Sequence, residues 1–118
     1  MRSLCVLSGI SLLLVLPASA TAVPFAYVTD YYEGVKVVDT DGHRVVATVP
    51  VGNTPLDIAV DRSGRRVYVA NVSSDTVSVI DAGTNAVIAT IRVGSSPCAV
   101  ALNPTRNVLY VEPLAKPS

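Results

Sequence analysis

The chain has 118 residues, half of them apolar, and its nine Lys and Arg balance nine Asp and Glu. Zero net charge with only 15% charged residues argues against a nucleic-acid or polyanion binder driven by bulk electrostatics, and a mean hydropathy of +0.49 argues against disorder. The length allows one small domain, and a single His, no Trp and no dense carboxylate cluster leave a thin catalytic inventory.

Residues 1–22 read as an export signal. Arg2 supplies a short positive end, Leu4 to Leu16 form the apolar stretch, Pro17 breaks it, and Ala18-Ser19-Ala20 offers the small residues that a signal peptidase reads. Cleavage is expected near Thr21 or Val23. A bilayer span needs about 20 apolar residues, which this segment does not reach, so no stable membrane span is expected after cleavage. The implied compartment is periplasmic or extracellular. Loss of the leader removes Arg2 and Cys5, leaving roughly 96 residues, a net charge near −1 and Cys98 alone. Without an internal disulfide, stability is expected to come from strand packing.

The remainder is one unit written twice, residues 26–66 and 67–107, with the start of a third unit in 108–118. From Val38 onward the offset is a constant 42, and ten of the 32 positions in 38–69 are identical to their partners in 80–111. Asp39 matches Asp81, Thr48 matches Thr90, Gly52 matches Gly94, and Pro55 matches Pro97. Tyr27 to Asp39 is one residue shorter than Tyr68 to Asp81.

Each copy predicts four short strands. Tyr27-Val28-Thr29 and Tyr68-Val69-Ala70 come first. Val35 to Val38 and Val77 to Ile80 follow with the period-two alternation of a pleated strand. Val45 to Val49 and Ala86 to Ile91 are nearly all apolar, as expected of a strand covered on both faces. Ile58-Ala59-Val60 and Val100-Ala101-Leu102 come last, on the strand expected to lie innermost. Asp39-Thr40-Asp41-Gly42 and Asp81-Ala82-Gly83-Thr84-Asn85 carry the residues that tight hairpins need. No stretch has a useful helical period. The expected fold class is all-β, built of four-stranded antiparallel β-propeller blades, as an incomplete propeller of about two blades.

The Tyr-Val-Thr-Asp and Tyr-Val-Ala-Asn runs, the stretch DTVSVIDAGTNAVIATIRVGSSPCAVALNP, and the Val-Gly-x-x-Pro of 51–55 and 93–97 closely resemble the YVTN-type β-propeller repeat. That resemblance covers residues 26–111 and implies an exported protein similar to YncE-like periplasmic and cell-surface propellers. The family is functionally mixed, with a proposed DNA-binding role in one branch. Related propellers also resemble lactonases and cofactor-bearing oxidoreductase domains. After Tyr110-Val111 the repeat pattern is lost, and Pro113 and Pro117 disfavour a further strand. A closed propeller needs about four to eight blades. The expectations are therefore a truncated version of a longer propeller or, less favoured, a homo-oligomer that closes a ring.

Candidate contact residues are few. Asp57 stands where the second copy has Ala99, and on an innermost strand it would line a central pocket or cap the turn after Pro55. Tyr31 and Tyr32 occur in the first copy only and suit a partner. Arg62, Arg65 and Arg66 cluster in one turn, with Arg106 in the second copy, yet no interleaved stacking aromatics accompany them except Tyr68. His43 reads as a solvated hairpin residue, since no second His or Cys adjoins it in sequence. Cys98 reads as a buried small hydrophobe, with an intermolecular disulfide as the alternative. Asp39 and Asp81 read as architectural, and Tyr27, Tyr68 and Tyr110 as interblade packing. Asn71-Val72-Ser73 fits the glycosylation acceptor pattern. No motif for haem, phosphate loop, nucleophile elbow or zinc protease occurs, so no cofactor, metal or catalytic residue is assigned. The expected activity is a non-catalytic binding or interaction module for a protein or small-molecule ligand. The alternative is a fragment or subunit of a propeller enzyme whose active-site residues lie outside this chain.

Overall fold

The structure, a computed structural model, describes residues 13–15, 25–61, 63–103, 105–106 and 108–113. Among the described residues ten strands run in chain order: β1 Leu13–Val15, β2 Phe25–Asp30, β3 Gly34–Asp39, β4 Arg44–Val49, β5 Pro55–Val60, β6 Arg66–Asn71, β7 Thr76–Asp81, β8 Ala86–Arg92, β9 Pro97–Asn103 and β10 Val108–Pro113. One 3₁₀ turn, Val72–Ser74, joins β6 to β7. All strand pairs are antiparallel, and the sheets are β1-β2-β3-β4, β5-β6-β7-β8 and the two-stranded β9-β10. The molecule is all-β and forms an open, incomplete propeller.

The sheets are out of phase with the sequence repeat. The first copy supplies β2 through β5, but β5 pairs with β6 and so belongs to the sheet of the second copy. Likewise β9 closes the second copy in sequence and pairs with β10. Each boundary between copies is therefore crossed by a sheet, whose backbone hydrogen bonds tie neighbouring units together.

Period-two alternation places the core between sheets. On β6, Val67 and Val69 face the first sheet and pack with Tyr27, Val35, Val37, Val49, Ile58 and Ile80. The intervening Tyr68 and Ala70 face the third sheet and pack with Val77, Val100, Ala59 and Leu109. Burying both faces of the middle sheet contributes on the order of 1.5–3 kcal/mol for each fully buried large apolar side chain. Tyr27 is 1% exposed, and Tyr68 holds the same station one sheet later. Tyr110 is 55% exposed, with no sheet packed on it among the described residues.

Two expectations need correction. Val45 to Val49 and Ala86 to Ile91 were expected to be covered on both faces. Instead β4 and β8 are the outer edges of their sheets, and every residue of β8 is exposed, Ile88 to 48%. Their β-branched residues suit an extended edge backbone; on β4 only Val49 is buried, with Ala47 half-buried beside it, and the rest of β4 and all of β8 lie exposed. Cys98 is buried as expected, but it is disulfide-bonded rather than a free thiol. Within residues 1–22, Leu13–Val15 pairs with Val28, Tyr27 and Ala26 of β2. The rest of residues 1–22 lies outside the described residues.

Candidate functional site

The recurring acids are turn-builders. Asp39 Oδ1 accepts the amides of Asp41 and Gly42 at 2.9 and 3.1 Å, and Asp81 Oδ1 accepts that of Gly83 at 2.8 Å. These side-chain turns shape the hairpins, with His43 and its counterpart Asn85 both left-handed at φ 53° and 57°. Asp61 and its counterpart Asn103 do the same one hairpin later. Asp61 accepts from Arg65 N at 2.9 Å, and Asn103 accepts from Thr105 N at 3.0 Å. His43 is exposed in its hairpin.

Asp57 is engaged by backbone amides. Its Oδ1 accepts Ile58 N and its Oδ2 accepts Val100 N, each at 2.9 Å, so the carboxylate staples β5 to β9. Asn71 is fully buried. Its Nδ2 donates to Ser78 Oγ at 2.8 Å and Thr76 Oγ1 at 3.1 Å, which removes it as a glycosylation acceptor. Arg65 and Arg66 are exposed at the β5–β6 hairpin. Six residues of β5 separate that hairpin from the loop before Pro55, about 20 Å at ~3.3 Å per residue. Arg62 lies outside the described residues. Among the described residues no three His, Cys, Asp or Glu side chains come together as a metal site.

Tyr31 and Tyr32 are placed differently. Asp30 Oδ1 accepts the amides of Tyr32 and Glu33 at 2.9 and 3.1 Å, bending the three-residue connection from β2 to β3. Those two amides hold the Asp30 carboxyl below the usual carboxylate range, with Lys36 adding a smaller pull. The two tyrosine rings meet edge to face with centroids 4.9 Å apart, and Tyr32 is 87% exposed. Glu33 forms an ion pair with Lys36.

This connection faces the β4–β5 loop across an open pocket of about 190 Å³, walled by Tyr31 to Gly34 and by Pro50 to Pro55. The β4–β5 loop is anchored on its far side by the next sheet. Val72 N donates to Thr54 O at 2.9 Å, Asn53 N to Ser74 Oγ at 2.7 Å, and Thr54 Oγ1 meets Ser73 Oγ at 2.8 Å. Gly34 is required where it stands. At φ +111° a Cβ would lie 2.4 Å from Val49 O.

Of the sequence candidates, Tyr31 and Tyr32 come together in this pocket, while Asp57, Arg65 and Arg66 do not line it. Gly34 and the Pro50–Pro55 wall were not singled out from sequence. The available signal was the missing residue between Tyr27 and Asp39, which shortens this connection relative to its counterpart.

No family model matches the chain, and no curated protein does. Among solved structures, the chain is similar to Kuenenia stuttgartiensis hydrazine synthase, with 30% identity and a TM-score of 0.73 over 75% of this chain. The match spans 26% of that neighbour's chain, and it supports the propeller-type, all-β fold.

Proposed function

We propose that this chain is an exported YVTN-type, YncE-like β-propeller repeat protein that acts as a non-catalytic binding module. Its contact surface is the pocket between the β2–β3 connection and the β4–β5 loop. The observation that carries this reading is a contrast in side-chain engagement. The recurring Asp39 and Asp81, the turn acid Asp61 and the staple Asp57 are committed to backbone amides, whereas Tyr31 and Tyr32 wall an open pocket and Tyr32 is 87% exposed. Exposed tyrosine combines a large apolar face with a polar tip, the residue type that binding surfaces favour. The ligand is a small molecule or protein segment, in the periplasm or at the cell surface.

The test is a ligand screen by saturation-transfer NMR on the full chain and on a Tyr31→Ala/Tyr32→Ala variant. Hits lost in the variant, with the fold intact by circular dichroism, support the module. Hits that persist equally in the variant overturn this pocket as the contact surface.

One observation favours a second reading, a subunit or fragment of a propeller enzyme whose active-site residues lie outside this chain. A solved neighbour is hydrazine synthase, and this chain matches about a quarter of it. Visible absorbance or stoichiometric metal in the purified protein would favour that reading over an inert module.

A further inference from the structure

We propose that the pocket takes a carboxylate attached to an aromatic or apolar body, an inference that rests on the binding-module reading above. The argument compares the two copies within one chain. In the second copy the β6–β7 connection has four residues, Val72 to Asp75, between the paired residues Asn71 and Thr76. Its last residue, Asp75, is left-handed at φ 56°, and its Oδ1 accepts the amide of Ser96 at 2.7 Å. The Asp75 carbonyl also accepts Val93 N at 3.0 Å, so this acid seats the β8–β9 loop against its own sheet.

In the first copy Glu33 precedes Gly34 as Asp75 precedes Thr76, but no carboxylate among the described residues meets the corresponding amide. Asp30 pairs with Gly34 as Asn71 pairs with Thr76, but only Tyr31, Tyr32 and Glu33 lie between. Ser96 corresponds to Thr54, and both hold the same left-handed backbone, φ 49° and 56°. Thr54 N–H meets no acceptor among the described residues, although its carbonyl and hydroxyl are both engaged. Gly34 has no side chain to offer, and Glu33 is tied to Lys36. Thr54 and the shortened connection are walls of the same pocket. An amide donor that meets a carboxylate in one copy therefore belongs, in the other, to a residue that lines an open pocket. A left-handed backbone is costly for a β-branched residue, and here the loop's anchors on Ser73, Ser74 and Val72 hold Thr54 in it.

The remaining walls define the rest of the ligand. Asp30 is engaged by Tyr32 N and Glu33 N, and Lys36 balances Glu33, so the nearby acids do not present a bare negative face. The Tyr31 and Tyr32 rings offer an aromatic wall beside the amide. An amide hydrogen bond to an ionised acceptor is among the stronger kinds. The ligand carboxylate would thus stand in for the Asp75 side chain, with its apolar body against the tyrosines.

The test follows amide shifts of the ¹⁵N-labelled full chain on titration with N-acetylphenylalanine, its methyl ester, and a five-residue peptide ending in phenylalanine. Thr54 and the Tyr31–Gly34 amides are expected to shift saturably with the acid, at least tenfold more tightly than with the ester. Insertion of Asp between Glu33 and Gly34, which restores the second-copy connection, is expected to abolish the acid's effect. Tight binding of the peptide alone or of the free acid alone assigns the carboxylate's source. Equal binding of acid and ester overturns the carboxylate inference and leaves the module standing. No shift at Thr54 with either acid overturns the inference, whereas loss of the module reading requires the screen on the Tyr31/Tyr32 variant to fail.

Discussion

Asp57 Oδ2 accepts the amide of Val100 at 2.9 Å, joining residues 43 apart and binding the innermost strand of one sheet to that of the next. Its other oxygen takes Ile58 N at 2.9 Å, so both oxygens of the carboxylate are engaged by backbone. The second copy has Ala99 at this station and offers no such staple.

Asp57→Ala is expected to destabilise the fold by about 1.5–3 kcal/mol, the range for hydrogen bonds to charged groups. Denaturant melts would read the loss, and amide exchange at Val100 would accelerate. Unchanged protection at Val100 would show that β9 is held by its apolar contacts instead.

Gly52 and Gly94 occupy the same motif position but sit in different surroundings. A Cβ at Gly52 would lie 2.8 Å from Asn71 Cγ and Nδ2, while nothing lies within 4 Å of one at Gly94. Asn71 cannot yield, because it is buried and bonded to Ser78 and Thr76. Gly52→Ala should cost about 1–3 kcal/mol through overpacking. Gly94→Ala should be neutral or gain up to about 1 kcal/mol from reduced unfolded-state freedom. Thermal midpoints of the two variants decide the matter, and equal shifts would contradict the packing around Asn71.

Asp30 predicts an acid-sensitive loop. Its folded carboxyl is held below the ordinary 3.8 chiefly by the Tyr32 amide and then by the Glu33 amide. The stabilisation is therefore present above the unfolded value and lost as pH falls through the lower folded value. Near-UV dichroism of the tyrosines should change in an acid step below pH 3.8, and Asp30→Asn should remove that step. A step of the same size in the variant would assign it to another group.

Export predicts a change at the edge of β2. Processing near Thr21 or Val23 would remove β1 and free the edge paired with Leu13, Leu14 and Val15. Amides of Ala26 to Val28 should then exchange faster in the processed protein than in the full chain. Fractionation with mass measurement of the N terminus checks the processing itself, and an intact leader in the cytoplasmic fraction would contradict it.

Much of the fold was legible because its determinants are local. Alternating Val and polar residues mark β3 and β7, and Asp with Gly or Asn marks the hairpins where His43 and Asn85 turn left-handed. The repeat offset of 42 revealed the blade unit by itself. The apolar run of β8 misled, because β-branched composition reports extended backbone as well as burial, and only sheet order distinguishes the two.

The sequence alone thus determined an all-β chain of repeated four-strand units, since strand alternation and turn chemistry act over a few residues. Tertiary structure decided the rest. It drew β5 out of the first copy and into the sheet of the second, turned Asp57 into a staple across 43 residues and buried Asn71 beneath Gly52. It also showed what one missing residue between Tyr27 and Asp39 does, by setting Thr54 beside a pocket where the second copy has the Asp75 carboxylate. Each of these depends on which strands become neighbours, and a long-range pairing cannot be read from the residues on either side of it.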